Sequence, residues 1–121
     1  MRFRAEQHLR RPADIRGVRE QGRRFDCRAF TVWWKRRATG EGGGLARVCV
    51  IASTAAVGAA TRRNRAKRRL REVFRHRQES VPADCDLLLI ARAAANALPL
   101  PELERRFGEA CAAMTRDGRT S

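Results

Sequence analysis

Residues 62–77 read RRNRAKRRLREVFRHR, and this is the most informative stretch of the chain. It contains nine Lys or Arg residues and one Glu, which together give +8 of the chain's net charge of +14. Its apolar residues follow the i, i+4, i+7, i+8 spacing of an amphipathic helix: Ala66, Leu70, Val73 and Phe74. We therefore predict a helix over 61–78 that packs one face on a core and exposes a dense field of cations.

The charge pattern of the whole chain points to a polyanionic partner. Residues 1–37 carry a net charge of +8, residues 38–61 are neutral, and residues 78–121 carry −2. Only Lys35 and Lys67 of the 27 basic residues are lysine. Arginine suits bidentate phosphate contacts, although codon bias in a GC-rich genome explains the same ratio equally well. The sign of the charge favours nucleic acid as the partner.

Length and composition predict one small domain over 1–121, with a core at about 9–115 and frayed termini. A chain of 121 residues suits a single core, and 43% hydrophobic residues argue against disorder. The N-terminus has no apolar segment, and the longest apolar run, 87–91, is too short to cross a bilayer. We expect a soluble protein of the cytoplasm with no membrane contact and no obligate protein partner.

The four cysteines predict reduced, buried thiols. Cys27, Cys49, Cys85 and Cys111 form no C-x-x-C pair, and no histidine stands near them at metal-ligand spacing. Three lie in strand-like contexts and the fourth in a helical one. We expect neither a metal site nor a catalytic thiol.

Hydrophobic periodicity and turn residues predict an α+β fold. The predicted elements are a helix from Pro12 to Gly22, strands over 25–35, 45–53 and 86–91, and a last helix from Pro99. A glycine-rich hairpin loop is expected at 39–44, and Gly58 separates the second strand from the basic helix. This order predicts a two-layer α/β sandwich containing a β-α-β unit.

The stretch 58–75, GAATRRNRAKRRLREVFR, closely resembles the signature of the protein subunit of bacterial ribonuclease P, G-N-A-V-x-R-N-R-x-K-R-x-x-R-E-x-F-R. The flanks at 14–22, 28–33 and 86–92 resemble the family more weakly. Eleven positions match the signature: Gly58, Ala60, Arg63, Asn64, Arg65, Lys67, Arg68, Arg71, Glu72, Phe74 and Arg75.

The chain departs from the family pattern at several positions. Ala59 replaces an asparagine, Thr61 replaces an aliphatic residue, and a Ser-Lys-Lys that often precedes the glycine is absent. Ile15 and Arg19 stand where the family usually has phenylalanine. The resemblance therefore implies that the contact with the RNA subunit is preserved, whereas the cleft that contacts the substrate is altered.

The resemblance implies about three helices on a four-stranded sheet, with a left-handed crossover around the basic helix. Periodicity alone favours the common right-handed crossover. The resemblance also implies a division of labour in a ribonucleoprotein endonuclease. A catalytic RNA subunit, with Mg²⁺ held mainly by that RNA, removes the 5′ leader of precursor tRNA, while the protein binds both RNAs and is inactive alone.

Two sets of site residues follow from the resemblance. The set expected to bind the catalytic RNA is Arg62, Arg63, Asn64, Arg65, Lys67, Arg68, Arg71 and Arg75. The set expected to form the cleft for the precursor-tRNA leader is Ile15, Arg16, Arg19, Arg28 and Trp33. The Asn64 amide is expected either to cap backbone N–H groups at the start of the helix or to form a hydrogen bond with an RNA oxygen. Glu72 is expected to orient Arg68 and Arg75 through intrahelical pairs.

Strand alternation places Trp33 on the face opposite Val32 and Trp34, so one tryptophan is expected in the core and the other exposed. Trp33 is the candidate for stacking on a leader base, with a core position as the alternative. Arg16, Arg19 and Arg28 either line the same cleft or form a solvated basic surface.

Three other functional classes fit parts of the pattern. A ribosomal or other structural RNA-binding protein explains the charge and the fold equally well. A protein-only nuclease requires clustered carboxylates for Mg²⁺, and Asp84 and Asp86 are the only close pair beside a strand. A basic helix that binds duplex DNA is the weakest of the three.

His8 and His76 have no Ser or Cys partner at the spacing of a catalytic pair, which favours surface or phosphate-binding roles for them.

Overall fold

The computed structural model describes residues 7–37 and 45–120, with side chains as far as Arg116. The described part contains α1 (Pro12–Gln21), β1 (Arg23–Asp26), β2 (Phe30–Arg36), β3 (Arg47–Ile51), α2 (Thr54–Val57), α3 (Ala60–His76), β4 (Cys85–Ala91) and α4 (Leu100–Thr120). The predicted loop at 39–44 lies outside these residues. Of the termini whose fraying was expected, 1–6 and 121 lie outside them too, whereas 116–120 continue α4. Within them, no helix combines the length and apolar character needed to span a membrane.

The strands form one mixed sheet in the order β1-β2-β4-β3. β2 pairs antiparallel with β1 and with β4, whereas β3 and β4 are parallel neighbours. Parallel neighbours need a crossover connection, and α2 and α3 supply it. The α+β class and the four-stranded sheet are confirmed, while the left-handed sense of the crossover stays a prediction.

Helices pack against both faces of this sheet. Leu87 and Leu89 of β4 belong to the large core beneath α3 and α4, whereas Leu88 packs with Val18 of α1. Because neighbouring residues of a strand point to opposite faces, α1 lies on the face opposite α3 and α4. The sandwich of α3 and α4 on the sheet thus gains a partial third layer, and the second face stays open beside α1.

The apolar faces of the two long helices are as predicted. Ala66, Leu70, Val73 and Phe74 of α3 are fully buried, and so are Leu103, Phe107, Ala110 and Met114 of α4. The rings of Phe74 and Phe107 meet nearly edge-on, with centroids 6.5 Å apart. This contact fixes the rotation of α3 and therefore which of its residues face solvent.

The prediction of one strand over 25–35 was wrong, because the chain turns back within it. Arg28 adopts a left-handed φ of 67°, and its backbone N–H donates to the Asp26 carboxylate at 2.7 Å. Cys27 N–H donates to the Phe30 carbonyl at 2.9 Å and closes the hairpin. The turn uses an Asp side chain in place of Gly or Pro, so the usual sequence signal is missing.

A short helix, α2, also escaped prediction. The Ser53 hydroxyl accepts from the Ala56 N–H and caps it, and Gly58 ends it with a φ of 110°. That left-handed φ requires glycine, which explains why Gly58 separates α2 from α3.

Candidate nucleic-acid interface

The outer side of α3 carries a run of cations that no acidic side chain of the described residues neutralises. Within 7–37 and 45–116, none of six basic side chains forms an ion pair: Arg62, Arg63, Arg65, Lys67, Arg68 and Arg71. Four of the six are exposed, and Arg63 and Lys67 are half-buried. Cations at this density repel one another, and a polyanion relieves that repulsion. The structure thus groups the residues predicted to bind RNA on one helix.

Arg75 differs from these six cations because it pairs with Glu72. This hydrogen bond lowers the pKa of the Glu72 carboxyl and raises the pKa of Arg75. The same Glu72 oxygen lies 2.8 Å from His76 Nε2. The prediction that Glu72 also orients Arg68 was wrong, since Arg68 forms no ion pair in the described part of the chain.

Asn64 is not a helix cap. α3 begins at Ala60, so Asn64 lies inside its first turns, and the N-cap residue Ala59 offers no side-chain oxygen. Asn64 is exposed beside Arg63 and Arg65. Its amide therefore remains available to an external partner, which is the other role that the sequence suggested.

Arg69 anchors α3 to the segment before α4, a role that the sequence did not reveal. Its guanidinium donates to the Ala95 carbonyl at 2.9 Å and also to the Leu98 carbonyl. Asn96 adds a hydrogen bond of 3.0 Å to the Arg62 carbonyl. Arg69 is half-buried, whereas its neighbour Arg68 is exposed. Two adjacent arginines therefore have different surroundings.

Trp33 lies on the open face of the sheet beside α1. It is half-buried with Ile15, whereas Val32 and Trp34 belong to the core on the other face. The opposite orientation of the two tryptophans is confirmed. The guanidinium carbon of Arg19 lies 5.0 Å from the Trp33 ring centroid, a cation–π contact. Ile15, Arg19 and Trp33 thus meet in one place.

The other two residues of the predicted cleft are more distant. Arg16 is exposed on α1, and Arg28 is exposed at the turn between β1 and β2. The described contacts join Arg28 to Arg92, through its carbonyl, and to Asp26. The structure therefore groups three of the five predicted cleft residues and leaves Arg16 and Arg28 outside that group.

Three further polar residues border this face and were not predicted as site residues. Arg92 donates to the Thr31 hydroxyl at 3.0 Å, and Arg24 pairs with Trp33 across β1 and β2. Strand parity could have identified Arg24 and Thr31, but only once the hairpin was known. We call the surface formed by Ile15, Arg19, Arg24, Thr31, Trp33 and Arg92 the α1 cleft.

Asp86 is a structural carboxylate. It is 5% exposed, and both of its oxygens accept from Arg47 at 2.8 Å. Arg37 donates to the same carboxylate at 2.5 Å and to the Cys85 carbonyl at 3.1 Å. Two guanidinium groups thus compensate one buried carboxylate, which leaves it poorly suited to bind a metal ion.

The described residues contain no group of three or more His, Cys, Asp or Glu side chains that could hold a metal ion. Cys27, Cys85 and Cys111 are buried free thiols, and Cys49 is half-buried. Burial raises the pKa of Cys27 and of Cys111 to about 12. Thiols with such pKa values are poor nucleophiles and poor metal ligands at neutral pH.

The N-terminal segment joins the basic surface of α3. Leu9 N–H donates to the Val48 carbonyl at 2.9 Å, so residues 7–9 run beside the edge strand β3. His8, Arg10 and Arg71 line one cavity together with Cys49. The structure thus brings basic residues of the two positively charged segments, 1–37 and 62–77, to one edge of the sheet.

The sequence matches a characterised protein family along most of its length. A family model described as Ribonuclease P matches residues 3–115. The Ribonuclease P protein component of Pseudomonas paraeruginosa is 48% identical over 50 residues, which cover 41% of this chain and 36% of that protein. The same component of Desulfovibrio desulfuricans is 34% identical over 84 residues, which cover 69% of this chain and 62% of that protein. The aligned segments thus span less than two thirds of either relative.

The fold gives a separate comparison. The RNase P protein of Staphylococcus aureus superposes with a TM-score of 0.71 at 22% identity, and the match covers 90% of this chain and 94% of that one. At this identity the likeness concerns the fold, and it agrees with the α+β topology described above. Because the family model spans nearly the whole sequence, the chain belongs to the ribonuclease P protein family.

Proposed function

We propose that this chain is the RNA-binding protein subunit of a ribonuclease P ribonucleoprotein. The observation that carries the proposal is the run of six cations on α3 that have no ion-pair partner in the described part of the chain, in a protein whose net charge is +14. A protein surface of this kind neutralises closely spaced phosphates of a folded RNA. Its partners are the catalytic RNA subunit and precursor tRNA, and it acts in the cytoplasm.

The reaction is the endonucleolytic removal of the 5′ leader, with the RNA subunit as the catalyst. In the holoenzyme, Mg²⁺ would activate the scissile phosphate. The described protein residues do not fit such a metal, because Asp86 is held by Arg37 and Arg47 and no other carboxylate cluster is present among them. We therefore assign Mg²⁺ to the RNA and an electrostatic role to the protein.

The α1 cleft is proposed to hold the leader of precursor tRNA. Trp33 offers an aromatic surface that carries the Arg19 guanidinium, with Arg24 opposite it on β1. Arg92 adds a cation beside Thr31, although Arg24 and Arg92 both pair with Asp26. Single-stranded nucleic acids bind such surfaces through stacking and backbone attraction. Because Arg19 already covers one side of the Trp33 ring, a base either displaces that guanidinium or packs against its outer side.

Replacing Trp33 with alanine tests this assignment. We expect binding of precursor tRNA to weaken by on the order of 1–3 kcal/mol, because one stacked base is lost. Mature tRNA, which has no leader, should bind almost as before. Fluorescence anisotropy with both RNAs measures the difference, and Trp34→Phe on the opposite face is the control. Equal losses for both RNAs, or unfolding seen by circular dichroism, would assign Trp33 to the core instead.

The proposed function itself is tested by cleavage of precursor tRNA over a Mg²⁺ titration. The three samples are the RNA subunit alone, the protein alone and the mixture. Because protein cations replace part of the counterion atmosphere, we expect the mixture to cleave at lower Mg²⁺ than the RNA alone. The protein alone should be inert. Specific cleavage by nuclease-free protein would show a protein enzyme.

A second assay separates this function from a structural role in another RNA assembly. The tagged protein is recovered from cells and its bound RNA is sequenced. One dominant catalytic RNA is the expected result. Ribosomal RNA as the main species would favour the ribosomal or structural alternative.

A further inference from the structure

A basic cleft lies between the N-terminal segment, the edge strand β3 and the outer side of α3. It consists of two adjoining cavities, of about 210 and 290 Å³, that share His8 and Arg71 as lining residues. Each volume is several times the roughly 30 Å³ that one water molecule occupies in the liquid, so a phosphate group fits. We call this feature the His8 cleft.

The wall that carries His8 is fixed in place. Leu9 is 3% exposed, and its N–H donates to the Val48 carbonyl. The Gln7 amide donates to the Gln78 side chain at 3.2 Å and to the Ala46 carbonyl at 3.5 Å. Contacts on both sides of His8 therefore hold it among the residues that line the cleft.

Positive charge converges on this imidazole. Arg10 lines the cleft from the same segment, Arg68, Arg71 and Arg75 line it from α3, and Cys49 lines it from β3. Among the described residues, Glu72 is the one acidic side chain that lines the cleft, and its carboxylate is engaged by Arg75 and His76. The lining thus has a surplus of cations, which favours an anion in the cleft.

We propose that the His8 cleft binds one phosphate group of the RNA partner, with Arg68 and Arg71 as permanent cations and His8 as a ligand that gains a proton when the phosphate binds. The identity of the ligand as RNA rests on the proposed function. The site itself rests on the geometry and charge of the cleft. The N-terminal segment thereby becomes part of an RNA-binding surface that the sequence assigned to α3 alone.

Phosphate binding and protonation of His8 are coupled, and the direction of this coupling follows from the charges around His8. In the free protein, burial lowers the pKa of His8 below 6.5, and the charges of Arg10 and Arg71 lower it further. A bound phosphate adds negative charge and raises that pKa. By linkage, phosphate binding then tightens as the pH falls from above the bound-state pKa to below the free-state pKa. A rise of one unit corresponds to about tenfold in affinity.

The first test measures the pKa of His8 with sulfate as the probe, because sulfate keeps two negative charges across this pH range. The chain has two histidines, so His76→Gln assigns the NMR signals of the imidazoles. At constant ionic strength, we expect sulfate to raise the His8 pKa by about one unit, and Arg71→Ala to abolish the rise. An unchanged pKa would overturn the site, and a rise that persists in Arg71→Ala would show an adventitious ion only.

The second test measures affinity for the catalytic RNA between pH 5.5 and 8. We expect the wild-type protein to gain more affinity on acidification than His8→Gln, by up to about tenfold for a one-unit pKa rise. His76→Gln should behave as wild type. Equal pH dependence in His8→Gln and wild type would exclude the coupling. If sulfate raises the His8 pKa but precursor cleavage is not stimulated, the anion site stands and the proposed function fails.

Discussion

Replacing Asp86 with alanine is expected to lower the free energy of unfolding by roughly 3–5 kcal/mol, the cost of breaking a buried ion pair by removing one partner. The substitution leaves Arg37, whose side chain is 2% exposed, and Arg47 without their shared carboxylate. Small domains are stable by about 5–15 kcal/mol, so this variant approaches the limit of folding. Urea denaturation followed by circular dichroism measures the change.

The matched control is Asp84→Asn, two residues earlier. The Asp84 side chain is 44% exposed and lies 3.9 Å from Arg37, so its charge should contribute at most about 1 kcal/mol. Asparagine suits the left-handed φ of 64° at this position, whereas alanine would add strain. Similar small losses for the two variants would show that the buried pair does not stabilise the fold. Loss of cleavage in Asp86→Ala without unfolding would instead indicate a catalytic carboxylate.

Replacing Arg65 and Arg68 together with alanine should cause the largest loss of RNA affinity. Both side chains are exposed and form no ion pair within the described residues. Each lost phosphate contact should make the slope of log affinity against log salt shallower by up to roughly 0.7, so the pair removes up to about 1.4. Filter binding across a salt series measures both quantities. An unchanged slope and affinity would exclude α3 as the main contact.

Arg68→Ala and Arg69→Ala form a matched pair, because each removes one positive charge from adjacent positions of α3. Arg68→Ala should reduce the slope and leave stability unchanged. Arg69→Ala should leave the slope nearly unchanged and cost about 1–3 kcal/mol of stability, because the Ala95 and Leu98 carbonyls lose their donor. Equal slope changes would mean that net charge, and not position on the helix, determines RNA binding.

The sequence predicted the features that depend on local pattern. The spacing of Ala66, Leu70 and Phe74 gave α3 and its buried face, since a helical period can be read within a few turns. Alternation along β2 gave the opposite orientations of Trp33 and Trp34. The signature at 58–75 gave the family, because its residues are close together in the chain and specific in type.

Features that depend on distant contacts could not be predicted in this way. The hairpin at Arg28 was missed because its turn relies on an Asp26 side chain and a left-handed arginine. The role of Arg69 was missed because its carbonyl partners lie 26 and 29 residues later in the chain. In the sequence, Arg68 and Arg69 are equivalent cations.

By itself, the sequence determined an α+β domain with a strongly basic helix, its buried face and its family. Only the tertiary structure showed which α3 cations lack an ion pair among the described residues, how Arg37 and Arg47 compensate Asp86, and that His8 and Arg71 line one cavity. The physical reason is range. Periodicity and motifs depend on residues that are close together in the chain. Ion pairs and clusters of charge depend on residues that are distant in the chain and that only the packing of α1, α3 and the sheet brings together.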